Sequence, residues 1–251
     1  MISFKELAHS NHRFLGMFIQ STSSEFVEIV GYTGFDFIII DMEHSPIDYS
    51  TSRVLAQAAD AAGIVSTIRV AEKSPVSVCK ALDTGVSGVV VPGISSVSDA
   101  EAAIGYARYA PLGVRGACPC VRANRYGIGG EVFYKKANET TSVILLLEGK
   151  SAIESFDAIS NIKGLDAILL GPVDLSHSLG FPGQIHHHAV TNALIDMINK
   201  GKERNVCIGV FCTELQEAKR WFEVGVNYVV YSVDTMLFAE TCSKLKASLM
   251  N

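Results

Sequence analysis

No run in this sequence approaches the roughly 20 apolar residues that a bilayer-spanning helix needs. The opening residues Met1 to Glu6 also lack the basic, apolar and small-residue order of a secretory signal. A cytoplasmic protein with no membrane partner is the expectation. Pro- or Ser-rich tracts and blocks of like charge are absent, so residues 1–251 are expected to form a single domain. Positive charge is in short supply: 21 Lys and Arg against 26 Asp and Glu leave a net charge of −5, which excludes the clustered cationic surface that nucleic acid requires. The six cysteines, at 79, 118, 120, 207, 212 and 242, lack the spacing of a disulfide framework. Cys79 and Cys207 fall in helix or strand patterns as small apolar residues, and Cys118-Pro-Cys120 has no second ligand pair with which to build a zinc site. No G-x-G-x-x-G turn follows the first strand-like run, which weakens a dinucleotide-binding open sheet. The remaining expectation is a compact globular chain whose partner is a small molecule.

Apolar runs bounded by Gly, Asp and Asn predict strands near 15–19, 35–40, 64–69, 88–92, 143–148, 166–170, 206–211 and 227–231. Helical periodicity lies between them, near 24–32, 50–62, 74–84, 97–109, 151–161, 189–205 and 214–223, with a last helix near 235–249. Several helices stop at a glycine that opens the next strand, as at Gly34, Gly63, Gly164 and Gly225. The strands are continuous apolar runs, as strands covered on both faces are. Eight such units predict an α/β fold, a (β/α)8 TIM barrel; a doubly wound open sheet is the second reading. The connection 110–142 is too long for a plain loop. It is expected to climb to the active-site rim, where Arg115, Arg122 and Arg125 would meet an acidic substrate or a neighbouring subunit.

Chemistry collects where the apolar runs stop. The run 143–147 ends in Glu148, and the run from 166 leads through Gly171 and Pro172 to Asp174. Side by side at the ends of neighbouring parallel strands, two buried carboxylates repel unless a cation lies between them. The absence of accompanying His and Cys points to Mg²⁺ or Mn²⁺ ahead of zinc, with Co²⁺ as a third candidate. A lone acid in such a place is as well read as a helix cap. Here the run 35–40 also ends in Asp41, Met42, Glu43 and His44, and the run 64–68 ends in Arg69, so four strand ends offer a base, a cation and two metal-type acids. The turn Gly171-Pro172 opens a helix and would aim the N–H groups of Val173, Asp174 and Leu175 at a substrate carboxylate. Lysine is missing at the ends of the fifth and sixth strands, where imine chemistry would place it; Lys150 already lies past the strand end. His186, His187 and His188 are consecutive and do not converge on one ion, so a solvated loop is expected there.

The order Asp41-Met-Glu-His44, Arg69, Ala81-Leu-Asp83-Thr-Gly85, Pro92, Tyr109-Ala-Pro-Leu-Gly-Val-Arg-Gly116, Glu148 and Gly171-Pro-Val-Asp-Leu-Ser176 resembles the HpcH/HpaI family along nearly the whole chain. These are metal-dependent pyruvate aldolases acting on 4-hydroxy-2-oxo acids such as 2,4-dihydroxyhept-2-ene-1,7-dioate or 2-keto-3-deoxy-glucarate. The resemblance implies a barrel of the phosphoenolpyruvate/pyruvate-domain type and a C–C lyase that interconverts such an acid with pyruvate and an aldehyde through an enolate on a divalent ion. Glu148 and Asp174, 26 residues apart, would be the metal ligands. Arg69 would stand at the enolate oxygen, Gly171, Val173, Asp174 and Leu175 at the substrate carboxylate, and His44 would be the base, oriented by Asp41 or by Asp83 from this or an adjoining subunit. The resemblance also implies a homo-oligomer, a hexamer built as a trimer of dimers, with the last helix packed on a partner barrel.

One position departs from the family pattern. Leu146 stands where the family usually carries Gln, on the same side of its strand as Glu148. That departure keeps open a 2-oxo-acid-binding barrel with little turnover; a citrate-lyase-like acyl-CoA lyase on a related barrel is a further reading, weakened because no basic groove for the CoA phosphates is evident. Glu43 is expected to hold its loop against the Arg115 or Arg122 segment.

Overall fold

The structure, a computed structural model, describes residues 2–250. Eight parallel strands close into a barrel in sequence order: β1 (Phe14–Ile19), β2 (Phe37–Asp41), β3 (Val65–Arg69), β4 (Gly88–Val91), β5 (Ser142–Leu147), β6 (Ala167–Leu170), β7 (Ile208–Cys212) and β8 (Tyr228–Val233), with β8 back on β1. Around it lie α1 (Phe4–Ala8), α2 (Ser24–Tyr32), α3 (Tyr49–Ala62), α4 (Pro75–Asp83), α5 (Val97–Ala107), α6 (Val132–Thr140), α7 (Lys150–Ile159), α8 (Pro172–Ser178), α9 (His188–Glu203), α10 (Leu215–Val224) and α11 (Asp234–Met250). All eight expected strands and eight expected helices are present. Three further helices are short: α1 and α6, which were not anticipated, and α8, whose start was expected at Gly171-Pro172 but whose extent was not.

Local chemistry explains the boundaries. Asp48 caps α3 by accepting from the Thr51 N–H at 2.7 Å, and Gly63 closes it at φ 75°, a left-handed conformation that a side chain would resist. Gly225 ends α10 in the same way at φ 110°. No described helix is long and apolar enough to cross a membrane.

Period-two alternation divides the core into two layers. Phe14, Phe18, Phe37, Ile39, Ile144, Leu146, Leu169, Tyr228 and Val230 fill the barrel interior, while Ile38, Ile40, Leu145, Leu147, Ile168 and Val229 face the helices. Each large side chain buried in this way contributes about 1.5–3 kcal/mol. Inward aromatics need small partners: a Cβ on Gly16 would lie 2.2 Å from the Phe37 ring, and one on Gly209 would lie 2.1 Å from the Tyr228 ring. The N-terminal end is stoppered by α1, whose Phe4 meets Phe14, Phe37 and Tyr228 edge-on at centroid distances of 5.1–5.8 Å.

The connection 110–142 runs against expectation. Arg115 donates to Asp83 at 2.8 Å, and Arg122 donates to Asp60 and, at 2.7 Å, to the Thr84 carbonyl. Asp60 and Asp83 lie in the last turns of α3 and α4, and helices that follow a strand run back toward the N-terminal face. Within the chain the segment therefore stays at the N-terminal face beside α1, lining a cavity of about 1090 Å³, and does not climb to the rim.

Candidate active site

Inward-facing positions at the C-terminal strand ends gather one polar layer. On β2 the inward series Phe37, Ile39 continues to Asp41; on β3 it ends at Arg69, and on β5 the series Ile144, Leu146 continues to Glu148. Gly171 follows Ala167 and Leu169 on β6. It has no side chain because Glu148 fills the space: a Cβ there would stand 3.0 Å from the Glu148 Cβ and 3.2 Å from its Oε2.

Asp41 is fully buried and anchors the arginine. Arg69 donates through Nε to Oδ1 at 2.8 Å and through Nη2 to Oδ2 at 2.7 Å, a planar two-point contact that only a guanidinium makes. Its third edge, Nη1, lies 3.3 Å from Glu43 Oε2, and its plane sits 4.5 Å from the Phe18 ring centroid. Gln20, the residue after β1, donates Nε2 to Asp41 Oδ2 at 2.8 Å. Burial alone would raise the Asp41 carboxyl, but the hydrogen bonds and charge of Arg69 with the Gln20 amide hold it below the ordinary range. Glu43 goes the other way. Burial raises it, and the charges of Arg69 and His44 only partly offset this.

Glu148 is pushed up to about 7. Burial is the first cause; the Gly93 N–H, which donates to its Oε1 at 3.1 Å, lowers it, while the charges of Asp174 and Glu43 raise it. Asp174, expected to be buried beside it, is instead exposed, because it lies in the first turn of α8 and not at the end of β6. Among the described residues no three His, Cys, Asp or Glu side chains form a ready-made metal cage. A cation here would find two carboxylates and open positions, which suits Mg²⁺ or Mn²⁺ with their retained waters and does not suit zinc.

Several expected contacts are arranged differently. Asp83 is not near His44 within the chain; it pairs with Arg115 on the opposite face, so the same-subunit form of that expectation is corrected. Asp41 orients the backbone of His44, whose N–H lies 3.3 Å from Oδ1, and not its imidazole, because both carboxylate oxygens are already taken by Arg69 and Gln20. The nearest acid to the exposed imidazole is Glu43, 3.8 Å from Nε2. Glu43 meets Arg69 and not the Arg115 or Arg122 segment, which is at the other end of the barrel. Leu175 is buried and its N–H donates to the Gly171 carbonyl at 3.1 Å, leaving Val173 and Asp174 as the first-turn N–H groups without an acceptor among the described residues. Leu146 is buried directly beneath Glu148 and against Gly171. His186 stands 3.7 Å from Glu217, and His187 caps α9. The strand-end reading missed Gln20, although alternation through Phe14, Gly16 and Phe18 directs residue 20 inward.

Residues 14–241 match the profile of the HpcH/HpaI aldolase/citrate lyase family. The 2-dehydro-3,6-dideoxy-6-sulfogluconate aldolase of Pseudomonas putida is 32% identical over 94% of this chain and 92% of its own. The pyruvate aldolase of Rhizobium etli is 31% identical over 97% of this chain and 96% of its own. The crystal structure of an HpcH/HpaI aldolase/citrate lyase family protein from Burkholderia cenocepacia superposes with a TM-score of 0.94 at 27% identity, covering 99% of both chains. Sequence, barrel and strand-end groups agree over nearly the full length, and the chain belongs to the HpcH/HpaI aldolase/citrate lyase family.

Proposed function

We propose that this aldolase interconverts a 4-hydroxy-2-oxo acid with pyruvate and an aldehyde, using a divalent cation, Mg²⁺ or Mn²⁺ with Co²⁺ as a third candidate, held by Glu148 and Asp174. The observation that carries the reading is the charge balance at the C-terminal strand ends. Asp41, Glu43, Glu148 and Asp174 face one guanidinium, and Arg69 answers only the first two at contact distance. When bound, the cation supplies the positive charge that gathers the oxygens of a 2-oxo acid and stabilises the negative charge that C–C cleavage leaves behind. The Pseudomonas and Rhizobium relatives, aldolases by name, support the same reaction class and the pyruvate half of it.

The chain's own groups complete the chemistry. A guanidinium has five N–H groups. Three face Asp41 and Glu43, so two remain to meet the oxygen on which charge develops, in a plane already set by Asp41. His44, exposed beside Glu43, takes the proton of the C4 hydroxyl during cleavage and returns it during synthesis. The N–H groups of Val173 and Asp174 receive the substrate carboxylate, while the expected Gly171 N–H is already given to the Leu147 carbonyl at 3.1 Å. Asp83 can approach His44 only from another subunit, so the reading includes a homo-oligomer, a hexamer as a trimer of dimers. The exposed Met236, Phe238, Leu245 and Leu249 of α11 suit packing on a partner barrel. Leu146 supports a second reading, a 2-oxo-acid-binding barrel with little turnover, because it replaces an amide with an apolar floor.

One assay separates these readings. Metal-loaded protein incubated with pyruvate and aldehydes of graded length should consume pyruvate with at least one of them, stop in excess chelator, and recover with Mg²⁺, Mn²⁺ or Co²⁺. Full activity in chelator, or a pyruvate adduct trapped by borohydride, would overturn the metal-dependent assignment; pyruvate binding with no consumption would select the second reading.

A further inference from the structure

Arg69 works only if it is still. Its plane is set by Asp41, and what sets Asp41 is the question. Oδ1 accepts from Arg69 Nε at 2.8 Å and from the N–H groups of Glu43 and His44 at 3.1 and 3.3 Å. Oδ2 accepts from Arg69 Nη2 and from one other group, the Gln20 amide at 2.8 Å. The carboxylate is fully buried, so no water can replace a lost donor without rearrangement. Gln20 thus closes the side of Asp41 that its own loop does not reach.

Gln20 is itself fixed from a third strand. Its backbone N–H donates to Asp234 Oδ1 at 2.9 Å, and the Ser21 N–H donates to Asp234 Oδ2 at 3.1 Å. Asp234 is buried just past the end of β8, where the β8–β1 register shifts and Ser232 is held at φ 59° with its buried hydroxyl unpartnered. A non-glycine residue in the left-handed region costs free energy and persists where its surroundings over-determine it. The contacts join four consecutive strand ends, β8 to β1 to β2 to β3, and finish on the guanidinium.

We propose that Gln20, seated by Asp234, is a positioning residue for the Asp41–Arg69 pair and so for the charge that Arg69 offers in the reaction. The inference rests on the aldolase reading for its kinetic consequence. Groups that preorganise a charge for the transition state act on kcat more than on KM.

In metal-loaded protein, Gln20→Leu should lower kcat roughly ten- to a hundredfold, the size of one hydrogen bond to a charged group, while KM for pyruvate and Mg²⁺ affinity stay within about twofold. Gln20→Glu supplies the sharper test. The introduced carboxyl faces Asp41 from β2, with Arg69 of β3 beyond it and Asp234 of β8 behind its backbone. Protonated it donates as the amide does, and ionised it repels Asp41. Its kcat relative to the wild type should therefore recover as pH falls from about 8 to about 6, and a merely structural role predicts no such recovery. Unchanged kcat in Gln20→Leu, or a wild-type pH profile in Gln20→Glu, overturns the inference and leaves the aldolase reading intact. If the wild type turns over no aldehyde, the aldolase reading fails and the clamp is judged by the Arg69 Nε–H resonance in isotope-labelled protein, assigned with Arg69→Lys. Its loss in Gln20→Leu supports the clamp, and its persistence overturns it.

Discussion

At the N-terminal end of the barrel Asp166 is buried and fully answered: Arg108 at 2.8 Å, Lys5 at 3.0 Å and the Val143 N–H at 2.8 Å all point at it. At the C-terminal end Glu148 is half-buried with one N–H at 3.1 Å, and two further acids bear on it. The same strands support both ends, so the difference is one of design and not of fold. Asp166 has two cationic partners, and the barrel interior beside it is stoppered by Phe4. Around Glu148 acids outnumber cations, with Asp174, Glu43 and Arg69 as its charged neighbours. The first arrangement holds the barrel shut; the second stores an electrostatic demand that a cation and a substrate can meet.

That contrast should break most visibly in turnover. Glu148→Gln and Asp174→Asn should each weaken metal binding and reduce aldol turnover by about 10³-fold, since Lewis-acid stabilisation is worth several kcal/mol. His44→Ala should cost about 10²–10⁴ with metal affinity retained. Folding of all three should survive, because none removes a partner from a satisfied buried charge. Metal titration, steady-state kinetics and urea unfolding on the same samples check the set. A variant of Glu148 that binds metal and turns over like the wild type would end the comparison.

The opposite result is expected at the stopper. Arg108→Met leaves the buried Asp166 with Lys5 as its only cation among the described residues and frees the Thr141 carbonyl that Arg108 holds at 2.9 Å. Removing one member of a buried pair costs about 3–5 kcal/mol. Urea unfolding should show that loss, and kcat per folded molecule should be unchanged. A fall in kcat without a fall in stability would mean that the two ends are coupled.

How far this division was legible depends on the kind of residue. Continuous apolar runs ending in Asp41, Arg69 and Glu148 announced parallel strands and a polar layer, because a two-residue period carries the inward direction past the strand end. The same period pointed to Gln20, yet an amide after a strand carries no charge to draw notice. Contacts between distant segments left no local trace. Asp83 lies in the last turn of an apolar helix in either reading, and only the folded chain shows it held by Arg115 at the N-terminal face. The connection 110–142 was legible as too long and not as to where it goes, since Arg115 and Arg122 suit a rim as well as they suit Asp83 and Asp60. The N–H of Leu175 looked available because the place of the N-cap was not fixed by the sequence: with Gly171 as the cap, Leu175 is the first residue whose N–H closes a helical bond.

The smallest effect is also the most specific to the open end. Glu148 has its proton affinity raised from an ordinary 4.5 to about 7, so the metal-free folded state holds that proton more tightly than the unfolded chain does. The resulting stability is fully present below about 4.5 and is lost as pH rises through about 7. Asp41 has the opposite sign, but its carboxyl lies below the ordinary 3.8 and its contribution is lost only in stronger acid, outside this window. Thermal unfolding in chelator should therefore show a midpoint that declines between about pH 5 and about pH 8. Glu148→Gln should flatten that decline without removing it, because Glu43 is raised as well. Saturating Mg²⁺ should lift the upper end of the curve most, since binding to the folded state alone stabilises it and the ligand carboxylates are then ionised. A midpoint that rises with pH in chelator, or a slope untouched by Glu148→Gln, would show that burial and the neighbouring acids do not raise the Glu148 carboxyl, and the case for a cation-seeking site there would lose its main support.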